Sequence, residues 1–174
     1  MKNNVTQNLY SERFFESPLG VLKLTASYSG LVSISFSGFR STDGMGNCPE
    51  KSCNNETASF SSKLLENTVI QLKDYFRGEL KTFNLPLDIS GTDFQKKVWS
   101  KLMTVEYGNT LSYGEIAAKL GKPGAARAVG NACNKNPLPI IIPCHRILGA
   151  SGRLTGYGGG LEAKKFLLKL ERQG

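Results

Sequence analysis

Cys144 and His145 are adjacent, and they are the residues of this sequence whose types best suit nucleophilic chemistry. A cysteine attacks as the thiolate, and a nearby imidazole can take up the thiol proton. His145 is the only histidine among the 174 residues. A nucleophile with its base is therefore one interpretation of the pair, and a buried structural cysteine beside a surface histidine is the other.

The pair directly follows a short apolar segment, residues 139–143, in which three isoleucines stand between two prolines. Proline fixes its own φ and disfavours helical geometry in the residue before it. The β-branched run predicts a buried, extended segment. The sequence therefore predicts a stiff apolar segment that holds a thiol and an imidazole in a dry pocket.

The net charge of +8 is unevenly distributed along the chain. Residues 1–90 hold nine basic and nine acidic side chains, whereas residues 91–174 hold thirteen basic and five acidic ones. A basic half-chain favours a polyanionic partner such as nucleic acid, and increased solubility is the alternative explanation. No stretch of about 18 apolar residues is present, so we expect no transmembrane helix. The N-terminus has no apolar signal core, so we expect a cytosolic protein.

Four cysteines are present without the spacing of a zinc finger: Cys48, Cys53, Cys133 and Cys144. With a single histidine they cannot form a Cys/His finger, and we expect no metal site. Cys48 and Cys53 could form a local disulfide, although a cytosolic environment favours free thiols.

The first half of the chain predicts a small supporting α/β domain, residues 1–90. Alternating and β-branched residues predict three strands, at residues 13–17, 21–26 and 31–36. Residues 38–59 are rich in Ser, Asn and Gly and predict a mobile loop. An apolar stripe predicts a helix over residues 61–77 that ends at Gly78, and residues 82–88 predict a short strand.

The second half, residues 91–174, predicts a mainly helical domain. Two capping boxes mark helix starts, Thr92 with Gln95 and Ser112 with Glu115. The second of these helices ends near residue 120, and a Gly/Pro turn leads into a third helix over residues 125–133. Helix, short turn, helix is the helix-turn-helix pattern, and it is also the pattern of an ordinary helical hairpin.

The third helix consists almost entirely of small residues around Arg127. Small side chains allow close approach, either to DNA or to another helix. Downstream, six glycines flank Tyr157 in residues 149–160. This stretch predicts either a surface loop or a pocket wall where the backbone approaches a planar ligand. A last helix, residues 161–172, is expected to bury Ala163, Phe166, Leu167 and Leu170.

Several motifs of the second half together resemble the active-site signature of the O6-alkylguanine-DNA alkyltransferases, also called methylated-DNA–protein-cysteine methyltransferases: Asn136-Pro137, Pro143-Cys144-His145-Arg146 and Gly156-Tyr157-Gly158-Gly159-Gly160. The resemblance extends from about Thr92 to Glu171. It implies an α+β fold, with a small N-terminal α/β domain that has a short sheet, followed by a mainly helical C-terminal domain with a winged-helix-like helix-turn-helix.

The resemblance also implies the activity. The family repairs DNA by irreversible, stoichiometric transfer of an alkyl group, such as methyl, from O6-alkylguanine in duplex DNA to a cysteine, after the nucleotide has been flipped from the minor groove. O4-alkylthymine is a further candidate substrate. The implied partner is double-stranded DNA carrying the lesion, with no cofactor and no membrane, and the protein is expected to be a monomer in the cytoplasm, associated with the nucleoid if the source is a prokaryote.

Residue by residue, the resemblance assigns the catalytic roles. Cys144 matches the alkyl acceptor, and His145 matches the base that acts on the thiol through a bound water. Glu171 matches the acid that orients this histidine. Tyr113 matches the tyrosine that helps to rotate the nucleotide and donates a proton to the leaving guanine.

Further positions match the DNA-binding and pocket residues of the family. Arg127 matches the arginine that fills the space of the flipped nucleotide, and Asn136 matches the asparagine that ties the recognition helix to the active-site turn. The remaining matches are on the DNA-facing helix, Ala126 and Gly130, and around the alkyl pocket, Tyr157, Gly158, Ile147 and Pro139. Gly158 departs from the members that have a serine there, so only its backbone N–H could contact the base.

Two other functions stay open on the sequence. Alkyltransferase-like proteins bind lesions without transferring the alkyl group, but they lack the acceptor cysteine that this chain has at position 144. A Cys–His hydrolase would act by acyl transfer, although such enzymes seldom have the two residues adjacent.

Overall fold

The N-terminal part of the chain is a three-stranded antiparallel sheet with one helix. The computed structural model describes residues 10–37 and 55–173, so Cys48, Cys53 and residues 38–54 of the predicted loop lie outside the described residues. The strands are β1 (Ser11–Ser17), β2 (Gly20–Ala26) and β3 (Leu31–Ser37), in the order β1-β2-β3. Helix α1 (Asn55–Phe76) contacts β1 and β2.

Two expectations for this half need correction. Helix α1 begins at Asn55, so the last residues of the predicted loop, 55–59, are helical. Residues 82–88 do not form a strand, because only Leu87 pairs, with Leu31 at the start of β3. The N–H of Leu31 donates to the carbonyl of Pro86, which has no N–H of its own to continue a ladder. Gly78 ends the helix as predicted, with a φ of 76°.

The C-terminal part is mainly helical. Its elements are α2 (Asp93–Met103), β4 (Leu111–Ser112), α3 (Tyr113–Lys119), α4 (Ala126–Asn134), a 3₁₀ turn (Cys144–Arg146), β5 (Ile147–Leu148) and α5 (Gly160–Gln173). Both predicted capping boxes are present, at Thr92 and at Ser112. Helices α3 and α4 form the helix-turn-helix, and β4 and β5 pair in parallel beside it. The α+β fold class is confirmed.

The isoleucine segment before Cys144 is buried as predicted, but it is not extended. Residues 140 and 141 form a tight turn in which Ile140 has a φ of 79°. The N–H of Ile142 donates to the carbonyl of Leu138 at 2.8 Å, which closes the turn. A β-branched residue rarely adopts positive φ. Burial of Ile140, which is 1% exposed, and the closing hydrogen bond hold it there.

One hydrophobic core runs through both halves, from Phe15 and Leu22 in the sheet to Leu167 in α5. The N–H of Ile34 in β3 donates to the carbonyl of Pro137 at 2.9 Å. This bond joins the sheet to the segment that leads into the Cys144 turn. Among the described residues, no helix is long and apolar enough to cross a membrane.

Candidate active site

Cys144 opens the 3₁₀ turn and is 5% exposed. The side chain of Asn136, two residues after α4, holds this turn in place. Its Nδ2 donates to the carbonyl of Ile142 at 2.8 Å and to Cys144 Sγ at 3.1 Å, and its Oδ1 accepts from the N–H of Leu138. Asn136 therefore links the end of α4 to the sulfur.

Burial raises the pKa of Cys144, while the hydrogen bond from Asn136 and the charge of Lys164 act in the opposite direction. The sulfur is therefore a thiol at neutral pH and needs a base to become a nucleophile. Cys133, the other cysteine in the described ranges, is also buried, and burial raises its pKa to about 12.

His145 is completely buried and bonds through one nitrogen to Glu171. Its Nε2 lies 2.8 Å from Glu171 Oε1, and a carboxylate can only accept, so Nε2 carries the proton. Nδ1 is then the basic nitrogen, and it has no hydrogen-bond partner within the described part of the chain. Burial lowers the pKa of His145 more strongly than Glu171 raises it, so the imidazole is neutral and able to accept a proton.

Glu171 receives hydrogen bonds from several elements. Arg146 donates from Nε to Oε2 and from Nη2 to Oε1, both at 2.9 Å, and its Nη1 donates to the carbonyl of Val105. The N–H of Gly108 and the hydroxyl of Tyr75 complete the set at 3.2 and 2.7 Å. Burial alone would raise the pKa of Glu171, but the donors His145 and Arg146 lower it to about 2. The carboxylate stays ionised at any physiological pH.

The glycine-rich loop, residues 149–160, contacts the site through Tyr157. The ring of Tyr157 packs edge-on against His145, with centroids 6.3 Å apart, and its hydroxyl is buried without a hydrogen-bond partner among the described residues. Tyr157 also packs edge-on against Phe36 of β3 at 5.9 Å. Gly158 is exposed, and a Cβ there would have no heavy atom within 4 Å.

Lys164 is a site residue that the sequence reasoning missed. It is wholly buried in α5, and its Nζ donates to the carbonyls of Ile147 at 2.6 Å and Thr155 at 2.8 Å. The buried face of α5 comprises Ala163, Lys164, Leu167, Leu168 and Glu171. The expectation that Phe166 is buried is wrong, because this face turns it outward to 36% exposure. The sequence did contain a signal for Lys164: it and Glu171 are seven residues apart, so both lie on the apolar face of the helix.

Tyr113 lies at the rim of the site, at the start of α3. It is half-buried, and its hydroxyl accepts from Thr155 Oγ1 at 3.1 Å. Gly130 of α4 faces this ring, since a Cβ at that position would lie 3.8 Å from it. The parallel pairing of Leu111 with Ile147 brings the start of α3 next to the residues that follow the Cys144 turn.

The outer face of α4 is open to solvent. Arg127 is exposed and makes no hydrogen bond or ion pair with the residues that the structure describes, and Ala126 is half-buried beside it. Val129 and Ala132 face inward, where the indole nitrogen of Trp99 donates to the carbonyl of Ala132 at 2.9 Å. Tight packing on α2 and an open surface around Arg127 thus occupy opposite faces of the same helix.

The structure therefore brings together most of the predicted site residues. Asn136 bonds Cys144, Glu171 bonds the adjacent His145, and Tyr157 packs against His145. Pro139 and Ile147 are buried in the segments on either side of the Cys144 turn. Arg127 lies outside this group, on the surface. Within the described ranges, no cluster of three or more His, Cys, Asp or Glu side chains has the arrangement of a metal site.

A buried cysteine followed in the chain by a carboxylate-bound histidine, next to a helix-turn-helix, defines a protein with a candidate cysteine site beside a motif that is typical of DNA-binding proteins. Two family models match the chain: the 6-O-methylguanine DNA methyltransferase ribonuclease-like domain over residues 10–89 and the 6-O-methylguanine DNA methyltransferase DNA binding domain over residues 93–173. The chain belongs to the 6-O-methylguanine DNA methyltransferase family.

Individual relatives agree with this assignment. A Methanosarcina acetivorans protein named methylated-DNA–protein-cysteine methyltransferase is 46% identical over 158 residues, which cover 90% of this chain and 95% of the relative. A Mycobacterium bovis protein of the same name is 61% identical over 104 residues, which span 60% of this chain and 63% of that relative's length.

Solved structures are similar over nearly the whole chain. Mycobacterium tuberculosis OGT, crystallised in complex with DNA, matches with a TM-score of 0.75 and 44% identity over 94% of this chain and 92% of that one. An O6-methylguanine DNA methyltransferase from Methanococcus jannaschii matches with a TM-score of 0.64 and 30% identity, covering 93% and 94% of the two chains.

Proposed function

We propose that this protein repairs DNA by transferring the alkyl group of O6-alkylguanine in duplex DNA to Cys144. The observation that carries the proposal is a buried thiol, bonded to Asn136, that is followed in the chain by a buried imidazole whose Nε2 is held by Glu171. Family membership and the names of the relatives support the same reaction. O4-alkylthymine, which presents an alkyl group in the same kind of bond, is a second substrate to test.

In the proposed reaction, Nδ1 of His145 takes the thiol proton, directly or through a water molecule. Sγ of Cys144 then attacks the alkyl carbon, so that a sulfur–carbon bond forms while the carbon–O6 bond breaks. The electron pair leaves with guanine, which departs as a neutral base once it gains a proton. The hydroxyl of Tyr113, at the rim of the site, is the donor that we assign to this step. Tyr113 then regains a proton from solvent, and His145 releases the thiol proton to solvent. Tyr157, Gly158, Pro139 and Ile147 surround the alkyl group and the base.

The product limits the reaction to one event. An alkylated cysteine is a thioether, which has no good leaving group and no acyl carbon for water to attack. Each protein molecule therefore accepts one alkyl group, and the protein acts as both catalyst and acceptor.

We assign DNA binding to α4. Arg127 points into solvent without a protein partner in the described ranges, and its neighbours Ala126 and Gly130 are small enough for close approach to a groove. Arg127 would occupy the space of the target nucleotide after it is flipped into the pocket. The charge of the second half, with thirteen basic against five acidic residues, supports a polyanionic partner.

The chain divides by function near residue 90, in this proposal. Residues 91–174 bind DNA and carry the acceptor, and residues 1–90 support them. The boundaries of the two matching family models, 10–89 and 93–173, favour this division. Since the substrate is duplex DNA, we infer that the protein works in the cytoplasm, at the nucleoid, if its source is a prokaryote.

The test is intact-protein mass spectrometry after mixing the protein with a duplex oligonucleotide that carries one O6-methylguanine. We expect a gain of one methyl group, located on Cys144 by peptide mapping and saturating at one per protein. The Cys144→Ala variant should gain no methyl group and should still bind the duplex. Selective binding without any gain in mass would overturn transfer and indicate a lesion binder. Turnover of an ester without DNA binding would indicate a hydrolase instead.

A further inference from the structure

Tyr75 connects the N-terminal half of the chain to the acceptor site. It lies near the end of α1, 96 residues before Glu171, and is wholly buried. Its hydroxyl lies 2.7 Å from Oε1 of Glu171. This is the same oxygen that bonds Nε2 of His145 at 2.8 Å. One carboxylate oxygen therefore joins a residue of the N-terminal half to the imidazole beside Cys144.

The chemistry of the two groups fixes the direction of this bond. Burial, together with the negative charge of Glu171, raises the pKa of Tyr75, so the phenol keeps its proton. Glu171 is ionised and can only accept. Tyr75 is therefore the donor, and its hydroxyl neutralises part of the carboxylate charge that His145 also faces.

The position of the hydroxyl is set by aromatic packing. The ring of Tyr75 contacts Phe83, Phe76 and Tyr107, with centroid separations of 5.3, 5.5 and 6.0 Å. Three aromatic neighbours leave the ring little freedom to turn. The oxygen is thus presented to Glu171 from a rigid support.

We propose that Tyr75 is a positioning residue for alkyl transfer, whose hydroxyl fixes the carboxylate that in turn orients His145. This inference rests on the proposed function, since it concerns the same thiol and imidazole. The proposal gives the N-terminal half a role in the reaction in addition to support. Without α1, Glu171 would lose one of its hydrogen-bond donors.

The expected consequence of losing the hydroxyl follows from the charges around His145. The titratable and charged groups near the imidazole come from four parts of the chain: Glu171 and Lys164 from α5, Cys144 and Arg146 from the 3₁₀ turn, Tyr157 from the glycine-rich loop and, through Glu171, Tyr75 from α1. A carboxylate with one donor fewer carries more uncompensated negative charge and stabilises the imidazolium. The pKa of His145 should therefore rise, by roughly half to one pH unit.

The test uses Tyr75→Phe, which keeps the ring and removes only the hydroxyl. Because His145 is the single histidine, the imidazole gives one set of resonances, and its titration can be followed by NMR without DNA. Tyr107→Phe is the matched control. It removes a hydroxyl from a neighbouring ring that bonds the carbonyl of Leu170, at 3.5 Å, rather than Glu171. We expect an upward shift in the titration of His145 for Tyr75→Phe and none for Tyr107→Phe.

Single-turnover kinetics provide the second readout. Tyr75→Phe should lower the transfer rate at saturating DNA by about three- to tenfold at pH values below the pKa of His145, with the loss shrinking as pH rises, and should leave DNA affinity unchanged. An unshifted His145 titration, or a loss confined to DNA affinity, would overturn the proposal. The titration does not depend on transfer, so a parent protein that accepts no methyl group would overturn the proposed function and not this coupling.

A second substitution covers the case in which Tyr75→Phe does not fold. Placing 3-fluorotyrosine at position 75 keeps the hydroxyl and makes the phenol a stronger donor. The titration of His145 should then move to lower pH, opposite to the shift expected for phenylalanine. The absence of any shift with the stronger donor would contradict the proposal as firmly as an unshifted Tyr75→Phe protein.

Discussion

Cys144, the proposed nucleophile, is held as a neutral thiol. Burial raises the pKa of Cys144 and lowers that of His145, so both groups are neutral at rest. An ion pair of thiolate and imidazolium would need two charges in a site that excludes water, which is costly. Proton transfer is therefore expected to accompany the arrival of the substrate, and the resting thiol is protected from solvent electrophiles.

Glu171→Gln tests the residue that orients His145. An amide oxygen is neutral, so it holds Nε2 and the fork of Arg146 less firmly, and it cannot stabilise the imidazolium. We expect the single-turnover rate of methyl transfer to fall by roughly 10²–10⁴-fold, with DNA affinity nearly unchanged. Glu162→Gln, at an exposed position of the same helix, is the control and should transfer at the parent rate. A Glu171→Gln protein as fast as the control would contradict the assignment.

Arg127→Ala tests the proposed role of Arg127 in nucleotide flipping. The side chain lies on the surface of α4, away from the thiol, so its loss should slow transfer from duplex DNA far more than transfer from free O6-methylguanine base. Both rates can be measured by the mass gained on Cys144. Lys119→Ala removes an exposed charge of the same sign from α3 and serves as the control. Equal slowing with duplex and with free base would show that Arg127 is not the flipping residue.

Among the elements, α5 and the glycine-rich loop form one unit with β3. Lys164 of α5 bonds the carbonyl of Thr155 in the loop, and Tyr157 of the loop packs against Phe36 of β3. The loop that forms one wall of the proposed alkyl pocket is thus held from two sides. Its glycines are needed where another element comes close.

Gly159→Ala should disturb this contact. A Cβ at position 159 would lie 2.6–2.9 Å from the ring of Phe36, closer than packed atoms allow, whereas a Cβ at Gly158 would meet nothing within 4 Å. We expect Gly159→Ala to reduce the free energy of unfolding by about 1–3 kcal/mol and Gly158→Ala to leave it nearly unchanged. Denaturant titration of the two neighbouring variants measures the difference. Equal stability of the two proteins would show that Phe36 moves aside freely.

At the scale of the whole molecule, Glu171 is one place where the two halves of the chain and the Cys144 turn meet. Its donors come from α1, from the loop after α2 and from the 3₁₀ turn. A shared core and a shared buried charge make the two halves interdependent. The stability of the whole chain should therefore depend on the ionisation of this one carboxylate.

Acid unfolding measures this dependence. The folded pKa of Glu171, about 2, lies below its ordinary value of 4.5, so its contribution is complete above pH 4.5 and is lost as pH falls towards 2. The size is about 3 kcal/mol. The lowered pKa of His145 adds a loss that begins below its ordinary value of 6.5. Denaturant titrations at several pH values should show stability falling in both windows.

The Glu171→Gln protein is the control for the lower window. Since glutamine does not titrate, its stability should change less between pH 4.5 and 2 than that of the parent. An identical slope for the two proteins in that window would mean that other carboxylates are responsible.

Local sequence patterns determined much of this structure. The capping boxes at Thr92 and Ser112, the strands of the first sheet and the glycine that ends α1 each depend on near neighbours in the chain, so the sequence predicted them correctly. The burial of the segment before Cys144 also followed from composition. The resemblance to a known family pointed to Cys144, His145 and Glu171, and the structure joins His145, which follows Cys144 in the chain, to Glu171.

Contacts between distant parts of the chain were decided only by the tertiary structure. The positive φ of Ile140 and the outward position of Phe166 depend on packing that no local pattern contains. The hydrogen bond between Tyr75 and Glu171 joins residues 96 apart in sequence, and no local pattern around either residue predicts it. Propensity and periodicity act over one or two turns of chain, whereas hydrogen bonds of buried charges are satisfied by whatever the fold brings close.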